Sequence, residues 1–91
     1  SLTRDDAVVA LRGLNPRARA GVVEMYVDAW IDYRAAQANI CEHGVIVLHP
    51  RSGAPIENPY LRVREGAAAS MRKARLVDDP LWKEASNGHD S

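Results

Sequence analysis

Ninety-one residues make one domain, and a chain this short buries a smaller share of its surface than a larger one does. The hydrophobic fraction is 46%, Phe is absent, and Trp30, Trp82, Tyr26, Tyr33, Tyr60, Met25 and Met71 carry much of the packing, so association between subunits is a natural supplement. A single cysteine, Cys41, excludes an intrachain disulfide and a Cys-rich zinc site, while a formal net charge of zero argues against a uniformly basic nucleic-acid binder.

The N-terminal stretch SLTRDDAVVALRG has neither the basic region nor the long apolar core of a signal peptide. No apolar run approaches the roughly 18 residues that span a bilayer. A soluble, cytoplasmic chain is the expectation. Thr3 before Arg-Asp-Asp predicts an N-cap with acidic residues in the first turn, and Ala7, Val8 and Leu11 an apolar stripe, giving a short helix over about 4–12 that Gly13 stops.

Asn15-Pro16 predicts a second start, because Asn caps through its side-chain oxygen and Pro lacks only an N–H that has no partner there. With Gly44 as its stop, this helix covers about 16–43 and is about 42 Å long at 1.5 Å per residue. Val23, Tyr26, Trp30, Tyr33, Gln37 and Ile40 recur at alternating spacings of three and four along one face. Val27, Ile31, Ala35 and Ala38 form a second line beside it. The two lines are either one broad core face or one intramolecular stripe and one subunit contact, in which Val27, Trp30, Ile31 and Ala38 are the interface candidates.

Beyond Gly44, Val45-Ile46-Val47-Leu48 is a β-branched run bounded by turn residues, Ser52-Gly53 turn the chain, and Ala54 to Glu57 return with Pro55 confining them to an edge. This hairpin occupies about 45–57. Asn58-Pro59 then repeats the cap-and-start device for a third helix over about 59–75, whose apolar stripe is Tyr60, Val63, Ala67, Met71 and Ala74. Gly66 is its weak point, at about 1 kcal/mol relative to Ala. A last turn after Asp78-Asp79-Pro80 carries Trp82, and residues 86–91 are expected to be a disordered tail. The fold expected is mainly α: two long antiparallel helices joined by a short β-hairpin, with a short N-terminal helix, in a single domain over residues 1–85.

HPRSGAPIENPY, residues 49–60, holds a histidine, a serine and a glutamate, but no nucleophile elbow or Gly-rich oxyanion loop accompanies His49, Ser52 and Glu57. No catalytic residue is assigned. The three histidines lack metal-ligand spacing, His43 suits the C-terminus of the second helix, and no Gly-rich phosphate-cradling motif is present, so no metal or cofactor is expected. Charge is unevenly placed. Arg62, Arg64, Arg72, Lys73 and Arg75 face Glu65 alone on the third helix, whereas Asp78, Asp79, Glu84 and Asp90 outnumber Lys83 behind it. The cations either meet phosphates or pair with Glu65 and the acids of helix two; Arg12, Arg17 and Arg19 are further candidates, and Arg51 is exposed at the hairpin tip.

LNPRARAGVVEMYVDAWIDYRAAQANICEHG followed by VIVLHPRSGAPIENPYLRVREGAAASMRKA resembles the small subunit of the terminase of tailed phages. The resemblance rests on Tyr26-x-x-Ala29-Trp30-x-x-Tyr33 within a long helix, on Gly44, on the hairpin, and on Asn58-Pro59 opening an Ala-rich helix with a basic end. It covers about residues 14–75. It implies a non-catalytic, ring-forming homo-oligomer in the cytoplasm of the infected bacterial host, which binds double-stranded phage DNA and regulates a large ATPase/nuclease subunit. Arg51, Arg62, Arg64, Arg72, Lys73 and Arg75 are then the DNA-binding candidates. An oligomeric protein-binding scaffold that does not contact DNA is the alternative.

Overall fold

The computed structural model describes residues 3–78. Three helices and one hairpin follow in order: α1 (Arg4–Leu14), α2 (Ala20–His43), β1 (Ile46–Leu48), β2 (Pro55–Glu57) and α3 (Tyr60–Ala74). The expected architecture of two long antiparallel helices joined by a hairpin, with a short helix in front, is the one observed. The expected turn around Trp82 and the tail at 86–91 lie outside the described residues.

A capping box opens α1: the Asp6 N–H donates to Thr3 Oγ1 at 3.1 Å, and the Thr3 N–H donates back to the Asp6 carboxylate at 3.4 Å. The helix does not stop at Gly13. It continues to Leu14 and ends at Asn15, whose N–H reaches the Leu11 and Arg12 carbonyls and whose amide donates to Leu11 O at 2.9 Å. On the outer surface the Arg4 guanidinium grips Asp28 of α2, with Nε donating to Oδ1 at 2.6 Å, and holds that carboxyl below its ordinary range. Exposed pairs of this kind add little stability.

Asn15-Pro16 does not start α2. The helix begins at Ala20, with Arg19 as its N-cap and no side chain capping it. The cause is competition for Asn15: its Oδ1 accepts from Val77 N–H at 2.6 Å and its Nδ2 donates to Val77 O at 2.7 Å, so both ends of the amide tie the α1–α2 corner to the chain leaving α3. At the other end Gly44, at φ +90°, turns the chain out of α2 as expected, its N–H donating to Ile40 O. The 24 residues between make about 36 Å of helix.

The core sits where α1 meets α2: Ala7, Leu11, Val23, Tyr26, Val27 and Trp30 are buried together, flanked by Val8, Ala18, Ile31, Met71, Ala74 and Leu76. Burial of each large apolar side chain here contributes roughly 1.5–3 kcal/mol. Helix α3 runs along α2, with Ala67 buried in the seam. In the hairpin, Val47 pairs with Ile56 and both are half-buried, while their neighbours point outward, as the two-residue period of a strand requires.

Asn58 joins the three parts at the far end. It is 2% exposed, its N–H donates to Val45 O, its Nδ2 donates to Asn39 Oδ1 and Gly44 O, and its Oδ1 accepts from Tyr60 N–H at 2.9 Å. One residue therefore links the end of α2, the start of the hairpin and the first turn of α3, its side chain reaching the two helices and its backbone N–H reaching Val45. Pro59 follows in helical conformation, as the start signal predicts.

Candidate nucleic-acid and subunit-contact surfaces

The hairpin loop is built from its own polar residues. His49 Nδ1 accepts from the N–H groups of Arg51 and Ser52 at 3.1 and 3.3 Å, and Ser52 Oγ accepts from Ala54 N–H. Gly53 takes φ +70° to complete the turn. His49 and Ser52 are thus engaged in holding a turn, and Glu57 is exposed on β2 opposite Ile46. Among the described residues no group of three or more His, Cys, Asp or Glu is placed to hold a metal ion, and no helix is long and apolar enough to cross a membrane.

The basic side chains of α3 are distributed rather than gathered. Arg62 lines a cleft with Met25, Asp28 and Asp32 on one side of the α2–α3 seam, whereas Arg72 lines a groove with Trp30, Ile31 and Met71 on the other. Arg64 is half-buried and donates to Gln37 Oε1 at 2.7 Å, bracing α3 on α2. Lys73 is exposed in the last turn, and Arg51 is exposed at the hairpin tip. Salt bridges between described residues include Arg4 with Glu24 and Asp28, and His43 with Glu42; none of those pairs involves a cation of α3.

Arg75 is the exception to this scatter. It caps α3 in the left-handed conformation, at φ 53°, and lines a cleft shared with Leu14, Arg17, Arg19 and Val77. Three arginines from two distant parts of the chain are brought around one opening, and among the described residues no carboxylate lines it. The tie between Asn15 and Val77 lies at the same place and fixes the two segments against each other. Arg17 and Arg19 are candidates in the sequence as cations at the junction of the first two helices; their meeting with Arg75 depends on tertiary structure.

For the subunit-contact candidates, burial divides the set. Val27 is 0% exposed and Trp30 3%, both inside the subunit's own core, and the Arg34 guanidinium stacks 4.8 Å over the Trp30 ring. An outward contact on this face therefore falls to the half-buried Ile31 and the exposed Ala38. The physical reason is α1: by packing on α2 it adds a second neighbour to the face that α3 alone would leave partly open.

The described residues form a small, mainly helical domain with a two-strand hairpin and open surface clefts. A family model described as phage terminase, small subunit, matches residues 7–75, which takes in most of α1 and all of α2, the hairpin and α3, and the chain belongs to that family. Membership supports a role in phage packaging, and the match reaches further back than the resemblance over 14–75, into α1. No curated protein and no solved structure matches the chain.

Proposed function

We propose that the protein is the DNA-recognition and regulatory component of a phage terminase: an oligomer, ring-shaped by the family resemblance, that holds double-stranded phage DNA and works with the large ATPase/nuclease subunit in the cytoplasm of the infected bacterium. The observation that carries this reading is the cleft of Arg17, Arg19 and Arg75, which brings three cations from two parts of the chain around one opening. Lys73 and Arg72 extend the positive surface along α3, and Arg62 and Arg51 provide separate, weaker contacts. Each subunit contributes a few sequence-independent phosphate contacts, and repetition around an assembly turns them into stable engagement through effective concentration.

Duplex DNA binding measured by fluorescence anisotropy across a salt series tests the cleft. Each lost phosphate contact lowers the slope of log K against log salt by about 0.9, so replacing Arg17, Arg19 and Arg75 together by Ala lowers it by about 2.7, with Arg62→Ala alone changing it by about 0.9 at most. An unchanged slope in the triple variant removes the cleft from the DNA surface. The absolute mass in solution tests assembly, and a species that stays at 10.0 kDa contradicts it. Intact assembly and large-subunit binding with no DNA binding at low salt would assign the scaffold function instead.

A further inference from the structure

The hairpin has two free edges, and they are not alike. Asn58 N–H donates to Val45 O and His49 N–H donates to Ala54 O, so Val45, Val47 and His49 direct their backbone groups inward, to the returning strand. By the alternation of an antiparallel ladder, Ile46 and Leu48 direct theirs outward. On β2 the outward positions are Pro55, which has no N–H to offer, and Glu57, which carries a charge. Proline and charge are devices that blunt a sheet edge, and β1 has neither.

The β1 edge is also open and apolar. A cleft of about 510 Å³ is lined by Ile46, Val47 and Leu48 in succession and by no residue of β2, which places it along the outer side of β1. Ile46 is 59% exposed and Leu48 67%, and among the described residues the N–H of neither makes a bond outside the hairpin.

Strand β1 is complementary to itself. Turned about a two-fold axis through Val47, Ile46 of one copy lies opposite Leu48 of the other, and the residues of each such pair exchange both of their N–H···O=C bonds. The apolar side chains of both pairs then share one outward face. Beyond the strand ends, the tip of each hairpin, with exposed Arg51, falls beside the base of the other, where exposed Glu42 stands in the last turn of α2. A strand of unrelated sequence would find the same backbone groups without this charge match.

We propose that β1 pairs antiparallel with β1 of a second copy, Ile46 opposite Leu48, with Arg51 of each hairpin against Glu42 of the other copy. The contact is isologous and so goes beyond the proposed ring, which is closed by contacts between unlike faces. It joins two subunits whether or not they also belong to rings.

Disulfide trapping without DNA tests the register. In a Cys41→Ser background, Ile46→Cys and Leu48→Cys chains mixed in a glutathione redox buffer should form a disulfide dimer of one chain of each kind. Each variant alone should link several-fold less, because like residues are diagonal neighbours about 7–8 Å apart, beyond an unstrained disulfide. Arg51→Glu should lower the yield of the mixture several-fold, and Arg51→Glu with Glu42→Arg should restore it, with circular dichroism confirming that each variant is folded. Equal linking in the mixture and the separate variants, linking in none of them, or a charge swap that restores nothing overturns the proposal. A large solution mass that persists in Leu48→Pro, which removes an outward N–H and no bond to β2, overturns this contact if the mixed disulfide is also missing, and leaves the ring standing. A mixed disulfide in a species of only two chain masses supports the contact and removes the ring.

Discussion

Asn58 shows how much a single polar side chain organises in a protein with so small a core. Its amide uses both donor and acceptor capacity inside the molecule, on Asn39, Gly44 and Tyr60. Asn58→Ala leaves those three partners short of a bond in a site almost closed to water, and we expect a loss of about 2–3 kcal/mol in urea unfolding. Asn58→Asp keeps the acceptor for Tyr60 but sets a carboxylate against Asn39 Oδ1 and the Gly44 carbonyl, so it should be at least as damaging. Tyr26 makes a different prediction. Burial first, and then the hydrogen bond and charge of Asp78, raise its phenol above the ordinary tyrosine value. A raised folded-state pKa stabilises fully below the unfolded value and is lost as pH rises toward the folded one. Stability should therefore fall above about pH 10. In Tyr26→Phe it should be lower at neutral pH but flatter on the alkaline side, as urea midpoints between pH 8 and 12 would reveal.

Among the elements, those bounded by local chemistry were legible in the sequence. The end of α2 at Gly44, the hairpin and the start of α3 each depend on residues within a few positions of the boundary, and the structure places them where Gly44, Ser52-Gly53 and Asn58-Pro59 indicate. The start of α2 was not legible, because Asn15 carries a local cap signature while its amide is taken by Val77 from the other end of the chain. His49 is a local feature with an unexpected role: its ring nitrogen replaces the carboxylate or amide oxygen that usually accepts turn N–H groups. The cationic cleft and the inward destination of Val27 and Trp30 follow from how α1 and the end of α3 pack, which periodicity within α2 does not encode. Two substitutions separate core from surface on this helix. Val27→Asp places a charge where nothing is exposed and should unfold the subunit, whereas Ala38→Glu should leave helicity intact and lower the solution mass if this face joins subunits. On α3, Gly66→Ala should raise stability by about 1 kcal/mol, since an added Cβ meets nothing within 4 Å.

At the scale of the whole molecule the shape is a slab of 50 × 28 × 17 Å held differently at its two poles. One pole contains the apolar cluster of α1, α2 and the end of α3, and Leu11→Ala there should cost about 2–5 kcal/mol by thermal denaturation. The other pole has the hairpin, whose outward residues Ile46 and Leu48 are exposed and whose attachment runs through Asn58. These two kinds of attachment respond to temperature in different ways. Apolar burial weakens on cooling, while a hydrogen-bonded amide hub does not depend on the release of apolar hydration water. Amide exchange followed from warm to cold should show the α1 pole losing protection relative to the residues around Asn58, so that the order in which the two ends of the subunit open is set by the thermometer.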